Sequence, residues 1–429
     1  MRRGFLVAAP HSGSGKTVLT LGLMRALADA GEKVLPFKAG PDFIDPAFHA
    51  HAARMECFNL DPWGMRPELI LSLGGGEGLA VVEGMMGLFD GAADGSGSCA
   101  ELAVMLHLPV VLVVDCSRQS HSVAALARGF REHRPDVRIA ALILNRVSTE
   151  RHERLLREAL MPIGIPVAGV VPALDVLKLP ERHLGLVQAG EHAALEAFVA
   201  TAATVARDRI DLALLAGLSG KATAAHGAVS SLKPLGQRIA VAQDRAFAFA
   251  YPHILNGWRA AGAEVSLFSP LKDEPPRADA DFVYLPGGYP ELHAGTLAAN
   301  ETFKAGMIAA RDRGAAIYGE CGGYMVLGEG LTDAKGKAHA MLGLLPVDTS
   351  FATRTRHLGY RKLKGRAGLM LPGQYRAHEF HYSTLVRQGE GTSLFDAADA
   401  TGAELGAHGL QVGNVAGSYM HLIDLDGGE

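Results

Sequence analysis

The sequence predicts an α/β protein made of two doubly wound units. Short apolar runs without period-2 alternation recur through the first 205 residues, each followed by a longer helical pattern. That is the signature of strands buried on both faces of a parallel sheet. The pattern breaks around Leu214–Gly236, a stretch of small and polar residues closed by Pro234 and Gly236, and then restarts. At about 150 residues per domain, a chain of 429 residues suggests two or three domains. The expected division is 1–205, a linker over 206–236, and 237–429.

The first expected strand, Gly4–Ala9, follows Met1-Arg2-Arg3 and superficially resembles a signal peptide. Its apolar run is too short for one, and His11, Ser12 and Lys16 follow at once, so it reads as a buried strand. Further strands are expected at Val34–Lys38, Leu79–Glu83, Pro109–Asp115, Ala140–Asn145 and Val167–Val171. Helical patterns over Lys16–Ala30, Ser120–His133 and Thr149–Leu160 lie between them. After the linker come Arg238–Ala242, Glu264–Phe268, Asp281–Leu285 and Ala315–Gly319, then a more β-rich and irregular stretch.

Composition narrows the function classes. Apolar residues are 48% and charged residues 20%, enough to fill large cores. With 41 basic and 45 acidic residues the formal charge is −4, which argues against a broad nucleic-acid surface but not against a local anion pocket. No run approaches the ~18 apolar residues of a membrane helix. The four cysteines, Cys57, Cys99, Cys116 and Cys321, form no C-x-x-C pair and are too sparse for a disulfide framework, so a reduced, cytoplasmic protein is expected.

The first chemical motif is Pro10-His11-Ser12-Gly13-Ser14-Gly15-Lys16-Thr17. It is a phosphate loop with proline where the first glycine usually stands, set between a strand and a helix as the motif requires. Gly13, Ser14 and Gly15 would wrap backbone N–H groups around phosphate at a helix N-terminus. Lys16 would neutralise β/γ-phosphates, and Thr17 would ligate Mg²⁺. Lys38, Asp42 and Asp45 follow the second strand at the carboxyl end, where doubly wound sheets place their chemistry, although Gly40-Pro41-Asp42 is also ordinary turn chemistry. Asp45 is a candidate metal ligand and catalytic carboxylate. Glu83 ends an apolar strand, the place of a second magnesium anchor. Asp90, on a glycine-punctuated loop, could reach substrate or simply close a turn. Asn145 could pair with an adenine edge or cap its strand.

The second motif is Glu320-Cys321-Gly322-Gly323-Tyr324 after an apolar strand. A cysteine between strand and helix, flanked by glycines, is a nucleophile elbow. The helix N-terminus is expected to lower its pKa. His421 is the candidate base, and Pro286-Gly287-Gly288-Tyr289-Pro290-Glu291 could offer backbone N–H groups to an oxyanion. His378 and His381 could line substrate, but a strand with alternating polar residues explains them equally well. They do not form a tight zinc ligand set.

Together these motifs resemble the cobyrinic acid and hydrogenobyrinic acid a,c-diamide synthases over nearly the whole chain. The most specific marker is Glu83-Gly84-Met85-Met86-Gly87-Leu88-Phe89-Asp90-Gly91. The first unit is also similar to dethiobiotin synthetase, and the second to class I glutamine amidotransferases. The resemblance implies two ATP-dependent amidations of a corrin polycarboxylate through acyl phosphates. Glutamine would supply ammonia by way of a Cys321 thioester. ATP and Mg²⁺ are the implied cofactors; no nucleic-acid or membrane partner is expected, and homo-oligomerisation is left open. One departure stands out. Triad amidotransferases place an acid two residues after the histidine, where this chain has Ile423, with Asp424 one further. A Cys–His dyad, or an acid from elsewhere, is the expectation. The rival readings are an a,c-diamide synthase acting on another tetrapyrrole, such as nickel-sirohydrochlorin, and a non-catalytic ParA-like P-loop partner.

Overall fold

A computed structural model describes residues 3–174, 181–182, 185–186, 194–218, 220, 229 and 232–427. The chain clusters into two compact units. The first is Met1–Trp63, Pro67–Gly91 and Gly95–Ala228; the second is Val229–Glu429 with Gly64–Arg66 and Ala92–Asp94.

In the first unit the chain runs β1 (Arg3–Ala8), α1 (Lys16–Asp29), β2 (Val34–Ala39), α2 (Asp45–Ala53), β3 (Phe58–Leu60), α3 (Pro67–Leu73) and β4 (Leu79–Glu83). It continues through α4 (Cys99–Met105), β5 (Val110–Asp115), α5 (Val123–His133), β6 (Ile139–Val147), α6 (Glu150–Leu160) and β7 (Val167–Pro172). A two-residue pair, β8 (Glu181–Arg182) and β9 (Gly185–Leu186), precedes α7 (Leu195–Arg209) and α8 (Leu212–Ala216). The sheet order is β3-β2-β4-β1-β5-β6-β7, with every neighbour parallel. Phe5, Leu6 and Val7 of β1 and Val110 to Val114 of β5 are fully buried. Each such side chain contributes about 1.5–3 kcal/mol, so a sheet covered on both faces favours unbroken apolar strands. β1 and β4 end beside each other, which brings the loop after β1 to Glu83.

The core of this unit runs past residue 205. Ala206, Ile210, Leu215 and Leu218 belong to it, and Gly4 N–H donates to the Leu218 carbonyl. Residues 206–218 are therefore packed structure, not connector; 219, 221–228 and 230–231 of the expected linker lie outside the described residues.

The second unit opens with β10 (Arg238–Ala242), α9 (Pro252–Ala260), β11 (Glu264–Phe268), β12 (Phe282–Leu285), α10 (Ala294–Ala299), α11 (Glu301–Asp312), β13 (Ala316–Glu320) and α12 (Gly322–Leu327). Then come β14 (Gly330–Thr332), β15 (Ala338–Ala340), β16 (Val347–Ser350), β17 (His357–Gly365), β18 (Gly373–His381), β19 (Thr384–Gln388), β20 (Phe395–Asp399), β21 (Glu404–His408), β22 (Leu410–Val412), β23 (Val415–Ser418) and β24 (Met420–Leu425). The main sheet has the order β11-β10-β12-β13-β23-β22, parallel except for the β22 edge. An antiparallel sheet, β21-β20-β17-β18-β24, carries the β-rich tail. The turn at Tyr419 passes the chain from β23 in one sheet to β24 in the other, setting His421 near the end of β13.

Candidate active sites

The loop after β1 needs its glycines. Gly13 and Gly15 have φ of 80° and 88°, in the left-handed region. A Cβ on Gly15 would lie 2.4 Å from the Asn145 amide nitrogen. No side chain caps α1 and its first turn holds no acid, so its leading N–H groups face the loop with the positive end of the helix. Ser14 turns its hydroxyl inward to the His11 carbonyl at 2.9 Å. Lys16 is mostly buried and donates to the Met86 carbonyl at 2.6 Å. Burial pushes its pKa down, opposed by the charge of Glu83.

Behind the loop lies a buried polar cluster. Lys38 Nζ donates to Asp45 at 2.7 Å and to Glu83 Oε1 at 3.1 Å. Thr17 donates to the same Glu83 oxygen at 2.6 Å, while His49 Nε2 lies 2.5 Å from Glu83 Oε2. Burial works against the Glu83 carboxylate, but Lys38 and His49 hold its pKa below the usual carboxylate range. Asp45 is pushed up to about 6, by burial first and then by Asp42, against the pull of Lys38. Thr17, Asp45 and Glu83 form an all-oxygen donor set, the hard chemistry Mg²⁺ takes.

Asp90 is exposed, and its carboxylate accepts the Gly87 N–H at 2.8 Å, so it closes that turn beside the loop. Asn145 donates to the Ser14 carbonyl at 2.9 Å and accepts from Arg146 N–H. In this structure Asn145 thus braces the phosphate loop from the end of β6.

In the second unit β13 runs one residue further than expected and ends on Glu320. Cys321 then takes φ 47° and ψ −103°, a strained backbone for a side chain of any size. A Cβ on Gly323 would lie 1.9 Å from the Leu285 carbonyl, so the helix after the elbow can pack only with glycine there. Cys321 and His421 meet over Gly287: a Cβ on that glycine would be 2.3 Å from His421 Cε1, 3.2 Å from its Nε2 and 3.3 Å from Cys321 Cβ. Gly288 N lies 3.0 Å from the point a Gly322 Cβ would occupy, placing a backbone N–H beside the elbow.

The comparisons with known proteins divide the chain in the same way. Residues 5–187 match the CobQ/CobB/MinD/ParA nucleotide binding domain, and residues 238–427 match the CobB/CobQ-like glutamine amidotransferase domain. Hydrogenobyrinate a,c-diamide synthases of Brucella anthropi and Brucella abortus are each 58% identical to it, over 99% of both chains. That of a Sinorhizobium species is also 58% identical with the same coverage. The chain belongs to the hydrogenobyrinate a,c-diamide synthase family. It is thus a glutamine-dependent, amide-forming ligase with a nucleotide-binding domain.

For a member of this family the thiol site is more buried than the sequence suggests. Cys321 is 3% exposed. Burial and the nearby Glu291 push its pKa up, and the Gly322 N–H counters only in part. The helix N-terminus does not lower it as expected: α12 has six residues, too few for a strong dipole, and burial excludes water. His421 is pulled down to about 3, by burial and then by His378 and His381. His378 pairs with His421 across β18 and β24, so it flanks the base.

Three functional neighbours escape the sequence reading. His49 stands four residues after Asp45 on α2, a helical spacing that could have pointed to it. Glu320 stands inside the elbow motif, and only its contacts with Tyr284 and His421 single it out. Burial pushes the pKa of Glu291 up to about 7. His357, Glu379 and His381 bring possible ligand atoms within 4.8 Å of one another. Arg361 already grips Glu379 at 2.7 Å, and the two imidazoles stack at 4.6 Å and 12°, so their lone pairs lie in near-parallel planes. These features suit a charge network better than a metal centre.

Proposed function

We propose that this chain amidates the a and c side-chain carboxylates of a corrin, hydrogenobyrinic acid first among candidates, using ATP and glutamine. The observation that carries this reading is 58% identity over 99% of the chain to hydrogenobyrinate a,c-diamide synthases, combined with both expected residue clusters. A carboxylate is a poor electrophile. Its oxygen attacks the γ-phosphorus of ATP, ADP leaves, and an acyl phosphate forms. Ammonia then attacks the acyl carbon and phosphate departs, leaving the amide. The Gly13–Gly15 N–H groups and Lys16 hold the phosphates; Lys38 offsets charge on the transferring group. Thr17, Asp45 and Glu83 would hold Mg²⁺, which when bound neutralises phosphate charge. Asp90, at the loop edge, would reach substrate from its turn.

At the thiol site Cys321 Sγ attacks the side-chain amide of glutamine and His421 takes the thiol proton. His421 protonates the departing ammonia, and water hydrolyses the thioester to glutamate. N–H groups near Gly288 and Gly322 stabilise the oxyanion.

The test is mass spectrometry of products from hydrogenobyrinic acid and from cobyrinic acid, with ATP, Mg²⁺ and glutamine. Addition of two amide groups to hydrogenobyrinic acid is the expected result. Product from neither substrate overturns the corrin reading.

A further inference from the structure

The acid expected behind His421 is missing from its usual place, since Ile423 stands two residues on. Asp424 does not serve instead. Its carboxylate accepts from Arg66 three times, from the backbone N–H at 2.9 Å, from Nε at 3.0 Å and from a terminal nitrogen at 3.1 Å. The Nδ1 edge of His421 faces a different carboxylate: Glu320 Oε2 lies 3.8 Å away, with the two side chains 4% and 1% exposed.

Glu320 is held where it is. The Tyr284 hydroxyl donates to Oε2 at 2.8 Å, and the Leu422 N–H donates to Oε1 at 3.2 Å. Leu422 follows His421 on β24, so one strand fixes both imidazole and carboxylate. We propose that Glu320 is the positioning residue for His421, so that acid and nucleophile are consecutive residues of the chain. This rests on the reading of Cys321 and His421 as the glutaminase pair.

The chemistry asks for such a group. To accept the thiol proton at Nε2, neutral His421 must carry its proton on Nδ1, and an acceptor behind Nδ1 selects that tautomer. Once protonated, the imidazolium sits in a buried site beside His378 and His381, which oppose its charge. Glu379 on β18 favours it. Glu320 lies on the Nδ1 side, where burial pushes its own pKa up to about 8, so its part is to orient the imidazole through Nδ1 rather than to supply a standing charge. Glu291 faces the thiol, and Tyr284 and Tyr318 face Glu320. A gap of 3.8 Å exceeds a hydrogen bond; such contacts commonly tighten when substrate binds.

Glu320→Gln keeps the size and replaces the carboxyl group that can take up or release a proton behind Nδ1. Glutamine-dependent turnover should fall about 100-fold or more, and alkylation of Cys321 by iodoacetamide at pH 7 should slow about tenfold or more. A merely structural role would lower the thermal midpoint yet leave alkylation of the folded protein unchanged. Glu320→Asp should restore part of both rates. Wild-type turnover and alkylation in folded E320Q overturn the proposal. If E320Q does not fold, E320D decides: a severalfold loss of kcat at unchanged KM supports it, and an unchanged kcat overturns it. Cys321→Ala separates the two failures. Glutamine turnover that survives in C321A overturns the thiol-site reading itself, whereas its loss there with full turnover in E320Q removes only Glu320.

Discussion

Single side chains decide what each site can do. Glu83 offers one oxygen to Thr17 and Lys38 and the other to His49. His49→Ala should therefore loosen the carboxylate that would hold Mg²⁺. The expected outcome is a rise of about 10- to 100-fold in the Mg²⁺ concentration for half-maximal synthesis, with glutamine hydrolysis unaffected; a Mg²⁺ titration of each activity checks it. Lys16→Ala should abolish amidation with either glutamine or ammonia, measured as ADP release and product mass. Normal ammonia-dependent turnover would remove Lys16 from the phosphate site. Motif spacing made the placement of Lys16, Thr17, Glu83 and Cys321 at strand ends and loops legible, because strand–loop–helix order dictates where such residues sit. Partners that come from other elements were not legible. Asn145 reaches Ser14 across the sheet, and no local pattern encodes that contact.

Elements carry the next set of constraints. The strands of the first sheet were readable because double-sided burial leaves continuous apolar runs, whereas β3, with three residues, is too short to show a period. The β-rich tail was read only as such, since pairing across five strands is set by tertiary contacts. At the meeting of α9 and β24, His253 is buried and hydrogen-bonds the Ile423 carbonyl at 2.9 Å. Burial holds its pKa down to about 4, below the ordinary 6.5. Its contribution is present above pH 6.5 and is lost as pH falls toward 4, because the unfolded chain takes the proton first. That window is worth about 3 kcal/mol. Urea unfolding at pH 7 and pH 5 should show the loss, and His253→Gln, which keeps the donor, should flatten it. Gly287→Ala would put a methyl group 2.3 Å from His421 Cε1. Glutamine turnover should fall about 100-fold as the imidazole is displaced, a change that comparison of kcat with wild type will reveal.

At the scale of the whole molecule the proposed chemistries use separate machinery, with acyl phosphate formation assigned to one unit and ammonia release to the other. Cys321→Ser should lose glutamine-dependent synthesis, since a hydroxyl is far harder to deprotonate than a thiol. Ammonium salt at alkaline pH should restore amidation, read as product mass with each nitrogen source. Full glutamine-dependent activity in C321S would show that the nucleophile is elsewhere. The β13–β23 pairing has a further consequence for how the protein is made. Cys321 emerges from the ribosome about a hundred residues before His421, and its N–H bonds to Ser418, which also comes late. On the proposed reading, a nascent chain can thus complete its phosphate loop before the thiol meets its base. On the proposed Cys321–His421 reading, glutamine hydrolysis is among the last abilities acquired during synthesis, and a translation fragment that stops before residue 421 lacks it.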